Sequence, residues 1–272
     1  MSTEAAAQWW STDIIKMSPG EIRFHGYAIE ELIGNISFTQ MIWLMLRSEL
    51  PQPGQDDLLE AALMSAVDHG PQAPSIAIAR MAATCGVGLN SAMASGLNVL
   101  GDIHGGAGEQ AVELYSEIAN NVSDSSPLVE TTQHALQKYQ TAHDKYVPGF
   151  GHRFHPVDPR APRLLALVDK AVTEGIVLGH HLAAAREIEH QLAHQQQKII
   201  PMNIDGASAV IYAELGFAAP LARGLFCLSR SVGILAHAWE QTQQGGRNKG
   251  PIPRDTIWNY SGHADRSLGR GA

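Results

Sequence analysis

Apolar residues recur along most of this chain at the three- and four-residue spacing of an amphipathic helix, and convincing alternating strands are nearly absent. Residues 29–47 show this spacing, but Asn35 and Ser37 interrupt it. We therefore expect two helices there, with Ser37 as the N-cap of the second. The same pattern predicts a helix over residues 56–67, after a turn at residues 51–54.

Residues 75–100 are rich in Ala, Gly and Ser and carry few charges. This composition predicts one buried helix that neighbouring backbones approach closely, with Gly96 and Gly101 bracketing its end. Amphipathic spacing predicts further helices over residues 109–120, 128–139, 162–173, 183–197 and 221–244. The pattern as a whole predicts an all-α protein without internal repeats.

Length and composition allow a sizeable core. The chain has 272 residues and 44% hydrophobic content, enough for one large domain or two moderate ones. A net charge of -8 argues against a nucleic-acid-binding surface, although a locally positive pocket for small anions remains possible. Cys85 and Cys227 both lie in apolar stretches, which predicts neither a disulfide framework nor a cysteine-based zinc site.

The sequence also indicates the cellular compartment of the protein. The two cysteines favour a reducing compartment. Residues 1–10 lack the basic and then apolar pattern of a signal peptide, and no apolar run approaches the roughly 18 residues of a membrane span. We therefore expect a soluble, cytoplasmic protein with no nucleic-acid or membrane partner.

One segment combines flexible backbone with acid-base and anion-binding groups. Residues 147–153 read Val-Pro-Gly-Phe-Gly-His-Arg, and residues 158–160 read Asp-Pro-Arg. The glycines beside Phe150 allow backbone N–H groups to approach a ligand, and His152 can transfer a proton near neutral pH. Arg160 can bind a carboxylate with two hydrogen bonds. The segment suits an anionic carbonyl compound, or it is a Pro/Gly turn that contains a histidine.

Two more segments carry candidate chemistry. His104 lies among glycines between two predicted helices, where an imidazole can reach a ligand without crowding; a tight helix connection is the alternative. Asp205 lies between an apolar segment and a run of small residues. Loss of solvent there would raise its pKa and make it a usable base, whereas an N-cap for the following helix is the other interpretation. Both interpretations of Asp205 are compatible.

Arg230 and several histidines complete the candidates. Arg230 lies in an apolar helical segment, where an unpaired charge would be costly, so we expect either an acidic side chain or an anionic ligand beside it. His69 lies where a predicted helix ends, and it either bonds a ligand or favours the helix dipole. His190 and His194 have i,i+4 spacing without a suitable carboxylate, so we expect a solvated face and no metal site.

The ordered set of motifs resembles the citrate synthase superfamily across residues 20–254. Within it, the chain is similar to short citryl-CoA lyases and to the citrate-synthase-like module of ATP-citrate lyase, given residues 68–71, residues 151–153 and its short length. The motifs are Ile22 to Leu32, Glu49-Leu50-Pro51, Asp68-His69-Gly70, His104 to Ala107, Pro148 to His152, Asp158-Pro159-Arg160, Asn203-Ile204-Asp205 and Ser229 to Gly233.

The resemblance implies a citrate-synthase-like helical fold with a large domain, a small domain and an active-site cleft between them. Residues 1–107 and 211–272 would form the large domain, and residues 108–210 the small one. The family implies a homodimer with shared active sites, which can assemble further. Closure over the ligand would exclude water and complete the catalytic set.

The resemblance also implies roles for individual residues. Asp205 matches the base that deprotonates acetyl-CoA, and His104 the residue that stabilises the enol. His152 matches the residue that protonates the keto-acid carbonyl, and in cleavage it would take the hydroxyl proton of citryl-CoA. His69, Arg160 and Arg230 match family positions that bind the substrate carboxylates. Arg254 matches a further arginine, which in the family comes from the partner subunit. The CoA cleft is matched by Pro148, Gly149, Phe150 and Gly151.

These roles imply a carbon-carbon lyase that cleaves citryl-CoA, or a related 3-hydroxy-3-carboxyacyl-CoA, to acetyl-CoA and a 2-oxo acid. The CoA thioester and the di- or tricarboxylate are substrates, and no tightly bound cofactor or metal is expected. Since lyase modules can carry another residue where His104 stands, a compact synthase that condenses acyl-CoA with oxaloacetate remains an alternative. A non-catalytic CoA-binding or regulatory subunit is the third hypothesis. The altered sequence around Arg254 leaves the number of substrate carboxylates open.

Overall fold

The computed structural model describes residues 3–143, 145–152, 155–253 and 255–268. The N-terminal region contains helix α1 (Thr3–Trp9), strands β1 (Ile15–Ser18), β2 (Glu21–Phe24) and β3 (Tyr27–Ala28), and the short helix α2 (Ile29–Leu32). The three strands form an antiparallel sheet in the order β1-β2-β3. The remaining described elements are helices, which confirms the all-α class.

Helices α3 to α6 precede the His104 segment, and α7 to α12 follow it. Their bounds are α3 (Phe38–Arg47), α4 (Gln55–Ser65), α5 (Pro74–Thr84), α6 (Leu89–Leu97), α7 (Ala107–Asn121), α8 (Leu128–Ala142), α9 (Arg160–Thr173), α10 (His180–Gln196), α11 (Ile204–Glu214) and α12 (Ala219–Gln244). The predicted Ser37 N-cap is confirmed. The Gln40 backbone N–H donates to Ser37 Oγ at 3.1 Å, and the Ser37 N–H donates to Gln40 Oε1 at 2.9 Å.

The structure corrects two sequence-based expectations. The single helix predicted over residues 75–100 is two helices, because Gly86 adopts a left-handed φ of 87° and Gly88 is the extended N-cap of α6. The N-terminal sheet was not expected. Its strands are short, and their residues are exposed or half-buried except Ala28, so no buried face alternates with an exposed one. Gly20 and Gly26 form the turns between them.

Two hydrophobic clusters form the core. The larger cluster packs helices α4 and α7 to α11 around side chains such as Tyr115, Ile188 and Ile211. The smaller cluster joins α5, α6 and α12 through alanines and Ile234. Helix α12 contributes Leu225 to the first cluster and Ile234 to the second, so one helix joins both. The division into domains of residues 1–107 with 211–272 and of 108–210 remains a prediction.

Among the described helices, only α12 is long and apolar enough to cross a membrane by length and composition. Its packing supplies another explanation, because it lies against α5, α6 and α7. It also carries the nearly buried Arg230, whose charge would be costly in lipid. Helix α12 also packs against the loops that carry His69 and His104, through Gly233 beside Val67 and Phe226 beside Gly105.

Candidate active site

His104 lies in the short connection between α6 and α7, where the backbone folds back tightly. The Gly101 N–H donates to the His104 carbonyl at 2.9 Å. His104 Nε2 lies 3.2 Å from the Ser75 backbone nitrogen and 3.0 Å from Ser75 Oγ. A backbone N–H can only donate, so Nε2 accepts, and the neutral ring carries its proton on Nδ1. Burial, and then the charge of Arg230, lower the pKa of His104.

Asp205 is the second residue of α11 and is not the N-cap. Asn203 has that position, and its Oδ1 accepts from the Asp205 N–H at 2.9 Å and from the Gly206 N–H at 3.2 Å. The N-cap interpretation of Asp205 is therefore wrong. Burial raises the pKa of the Asp205 carboxyl, and the charges of Arg230 and Arg160 only partly oppose this. A carboxyl group of raised pKa that is not used for capping is suited to proton transfer.

The loop that carries His152 is bonded directly to the segment before α11. The Asn203 N–H donates to the Gly149 carbonyl at 2.9 Å, and Asn203 Nδ2 donates to the Gly151 carbonyl at 2.7 Å. The Gly151 N–H donates to the carbonyl of Pro201 at 2.8 Å. These bonds place His152 and the start of α11 on one rigid unit.

His152 has a defined hydrogen-bonding state. Its Nδ1 accepts from the His155 backbone N–H at 3.1 Å, so the neutral ring carries its proton on Nε2. Burial lowers the pKa of His152, and the negative charge of Asp158 opposes this only in part. The imidazole is therefore held toward its neutral form.

Arg160 is oriented by an acid that the sequence analysis did not select. Asp158 is only 1% exposed and accepts from Arg160 Nε and Nη2, each at 2.9 Å. The same carboxylate accepts from the Ile204 N–H at 3.1 Å, at the first turn of α11. Burial would raise the pKa of Asp158, but the hydrogen bonds from Arg160 and Ile204 outweigh it and lower the pKa. The Asp-Pro-Arg motif was a signal for this residue, although its contact with α11 was not visible in the sequence.

Arg230 is a nearly buried cation with a backbone partner. It is 5% exposed, its Nε donates to the Ala66 carbonyl at 3.0 Å, and its guanidinium lies 4.8 Å from the Phe226 ring centre. In the described part of the chain, no carboxylate lies within 4 Å of this guanidinium. Burial lowers the pKa of Arg230, and the charges of Asp205 and Asp68 oppose this only in part. Of the two partners left open by the sequence, this environment favours an anionic ligand.

His69 lies in the loop after α4 and close to the groups described above. Helix α4 ends at Ser65, so the helix-dipole interpretation of His69 is wrong. The ring centres of His69 and His152 are 5.8 Å apart. Burial, followed by the charges of Arg160 and Arg230, lowers the pKa of His69. The charges of Arg160 and Arg230 thus act on a ring that lies beside His152, and the two guanidinium groups supply donors that suit a carboxylate.

The proposed CoA loop borders a cavity of about 280 Å³. Phe150, Gly151 and His152 form part of its wall, together with Lys145 and Lys198. Pro148 and Gly149 are buried behind it. Arg254 lies outside the described residues. The described residues contain no group of three or more potential metal ligands, and His190 and His194 pair only with each other and with Glu187.

Comparison with known proteins assigns the family. Residues 45–254 match the family described as citrate synthase, C-terminal domain. The chain belongs to the citrate synthase family. It is 28% identical over 200 residues to a citrate synthase of Acidithiobacillus ferridurans, a match that covers 72% of this chain and 50% of that protein. The chain thus spans about half the length of that curated relative.

Solved structures of this family share the fold. A citryl-CoA lyase from Hydrogenobacter thermophilus is 32% identical with a TM-score of 0.82, and the match covers 95% of this chain and 97% of that one. An ATP citrate lyase from Methanothrix soehngenii, in complex with citrate and coenzyme A, gives a TM-score of 0.78 at 20% identity. That match covers 96% of this chain and 45% of the larger protein, and it shows the fold alone. The citrate-synthase-like fold is therefore confirmed.

Proposed function

We propose that this protein cleaves citryl-CoA, or a related 3-hydroxy-3-carboxyacyl-CoA, into acetyl-CoA and a 2-oxo acid. The observation that carries the proposal is the nearly buried Arg230, which forms no salt bridge within 4 Å in the described chain and whose charge acts on the raised-pKa carboxyl of Asp205 only from a longer distance. Such a charge calls for an anionic substrate beside a proton-transfer group. The similarity in sequence and fold to the Hydrogenobacter citryl-CoA lyase supports the same reaction.

Cleavage begins at His152 in this scheme. The substrate hydroxyl replaces the His155 N–H at Nδ1, the unprotonated nitrogen of the neutral ring, and Nδ1 then removes the proton of the tertiary hydroxyl of citryl-CoA. The lowered pKa of His152 favours this neutral starting form. The carbonyl of the 2-oxo acid then forms as the bond to the thioester-bearing methylene carbon breaks. The electron pair of that bond moves into the thioester and gives an enolate.

His104 and Asp205 complete the reaction. The Nδ1–H of neutral His104 donates a hydrogen bond to the enolate oxygen, because Ser75 occupies Nε2. Asp205, whose raised pKa favours its protonated form, gives its proton to the methylene carbon and forms the methyl group of acetyl-CoA. One proton leaves the hydroxyl and one reaches carbon, so the cleavage consumes no water and releases no free CoA.

Binding uses the remaining candidates. Arg160, Arg230 and His69 bind the carboxylates of the substrate, and Asp158 holds Arg160 in a fixed orientation for this task. The CoA portion follows residues 148–151 toward the cavity beside Lys145 and Lys198, where two ammonium groups attract phosphate.

We also propose that the protein acts as a homodimer. One face of α12 exposes a continuous apolar row, with exposed fractions of 49% for Leu228, 59% for Val232, 40% for Leu235 and 55% for Trp239. Apolar rows of this kind mark protein contacts. A second copy would cover the row, and the family resemblance implies that this copy supplies an arginine, matched by Arg254, to the site of the first. Light scattering after size exclusion tests this, and a monomer at micromolar concentration would contradict it.

A compact citrate synthase is the second candidate, because the Asp205, His104 and His152 set is complete and the curated relatives include citrate synthases at 28% to 30% identity. The test is incubation with acetyl-CoA and oxaloacetate. A lyase forms citryl-CoA without accumulating free CoA, whereas a synthase releases free CoA and citrate. Tight binding of CoA thioesters without any turnover would favour the non-catalytic subunit.

A further inference from the structure

Three residues on one face of α12 hold three successive residues of the loop that precedes His69. Arg230, Gly233 and His237 are spaced i, i+3 and i+7, so they lie on the same face. Arg230 Nε donates to the carbonyl of Ala66 at 3.0 Å, and His237 Nε2 lies 3.1 Å from Asp68 Oδ1. The helix therefore follows the loop residue by residue.

The middle contact requires glycine. A Cβ at Gly233 would overlap the carbonyl oxygen of Val67 and would lie 3.2 Å from the Cα of Asp68. The loop backbone consequently rests directly on the helix backbone. This close approach brings Asp68 within hydrogen-bonding distance of His237, one helical turn farther along α12.

The hydrogen bonds of His237 define which nitrogen carries its proton. Arg80 Nη1 lies 3.2 Å from His237 Nδ1, and a guanidinium can only donate, so Nδ1 accepts. Nε2–H then donates to Asp68 Oδ1. Arg80 is itself fixed by Glu240 at 2.6 Å and by Gln244 at 2.7 Å. The imidazole thus has one orientation and a single available donor.

Asp68 transmits this orientation to the next residue. Its Oδ2 accepts from the Gly70 N–H at 3.2 Å, so one carboxylate binds α12 on one side and the backbone beyond His69 on the other. His69 lies between these two residues, Asp68 and Gly70, and its ring centre is 5.8 Å from that of His152. A group that orients Asp68 therefore orients His69 as well.

We propose that His237 is a positioning residue that, through Asp68, holds His69 in the geometry required to bind the substrate carboxylate. The inference rests on the proposed role of His69 in carboxylate binding, and it adds a distant residue of α12 to that site. His237 touches neither the substrate nor a reacting atom. Its contribution is to the affinity for the carboxylate and leaves CoA binding unchanged.

The test compares His237→Leu, which removes the donor, with His237→Gln, whose amide N–H can still reach Asp68. Calorimetry should show oxaloacetate binding about tenfold weaker in the Leu variant, the typical effect of losing a hydrogen bond to a charged group. The Gln variant should recover most of the affinity, and CoA should bind all three proteins equally. Gln243→Leu, an exposed change on the same helix whose amide donates to the neighbouring Thr242 Oγ1 at 3.2 Å, is the matched control and should behave as the wild type.

A second measurement needs no ligand. The imidazole Hε1 signal of His69, assigned by its loss in His69→Gln, should shift or broaden in His237→Leu and stay in place in His237→Gln. If the wild type binds no oxaloacetate, the proposed function fails, while this signal still tests the positioning role. Unchanged oxaloacetate affinity or an unchanged His69 signal in a folded Leu variant overturns the inference. If that variant does not fold, Asp68→Ala must reproduce both effects.

Discussion

Gly149 and Gly206 meet backbone to backbone. A Cβ added at Gly149 would lie 2.6 Å from the Cα of Gly206, and one added at Gly206 would overlap the carbonyl oxygen of Gly149. Gly149 also adopts a left-handed φ of 86°. This contact joins the loop of His152 to the first turn of α11, which carries Asp205. The two groups that exchange protons with the substrate therefore keep a fixed separation.

Gly206→Ala should lower both turnover and stability. Alanine within a helix ordinarily stabilises a protein by roughly 0.5–1 kcal/mol relative to glycine. Here the methyl group must displace the Gly149 loop, so the sign should reverse. Gly224→Ala in α12 is the matched control, because nothing lies within 4 Å of the added Cβ. Urea unfolding and steady-state kinetics measure both effects, and a Gly206→Ala protein as stable and active as Gly224→Ala would refute the contact.

Asp205→Asn should reduce turnover by about 10² to 10⁴ and yet raise the free energy of unfolding at neutral pH. Because the folded pKa of Asp205 lies above the unfolded value near 3.8, its charged form opposes folding. The gain in stability should be present at pH 7 and shrink as pH falls through the folded pKa. Asp13→Asn, an exposed acid, serves as the control. A less stable Asn variant would contradict the cause assigned to the shift.

The imidazoles of His69, His104 and His152 should all titrate below the ordinary value of 6.5, because burial lowers each pKa. The unfolded chain then binds more protons than the folded one between those pKa values and pH 6.5. The free energy of unfolding should accordingly fall as pH drops through this window. NMR titration of the Hε1 signals tests the prediction, and a midpoint at or above 6.5 for any of the three would disprove it for that residue.

Asp158→Asn should lower the free energy of unfolding by about 2 kcal/mol, since a buried, charge-assisted hydrogen-bond centre is lost. The folded pKa of Asp158 is lowered, so its contribution is complete above pH 3.8 and is lost as pH falls through the folded pKa. Asp169→Asn breaks the exposed pair with Arg186 and should cost about 0.5 kcal/mol or less. Chemical unfolding at pH 7 compares them, and equal effects of the two variants would contradict the assigned role of Asp158.

The sequence predicted elements whose signals are local. The Ser37 cap and helices α3, α4 and α7 to α10 follow from spacing and capping residues within a few positions. Helix α11 was implied only by the N-cap interpretation of Asp205 and received no bounds, because nearly all its residues are buried and no polar face marks its period. The N-terminal sheet was missed for the opposite reason, since neither face is buried.

The residues of the candidate site could be predicted from the sequence, but most of their contacts could not. His104, His152, Asp205 and Arg160 stand in motifs that the sequence displays. Their environments depend on contacts between distant segments, such as Ser75 with His104 or Asp158 with Ile204. His237 gave no signal at all in the sequence. Its role emerges only when α12 lies beside the loop of His69.

Incubation of the purified protein with citryl-CoA, with acetyl-CoA, oxaloacetate and free CoA followed over time, is the decisive test of lyase activity. A lyase should give equal amounts of acetyl-CoA and oxaloacetate and no free CoA, and Asp205→Asn should lose product formation. Free CoA with citrate would show thioester hydrolysis of the synthase type and contradict the lyase assignment. No reaction with citryl-CoA or with related hydroxyacyl-CoA compounds would contradict the catalytic account as a whole.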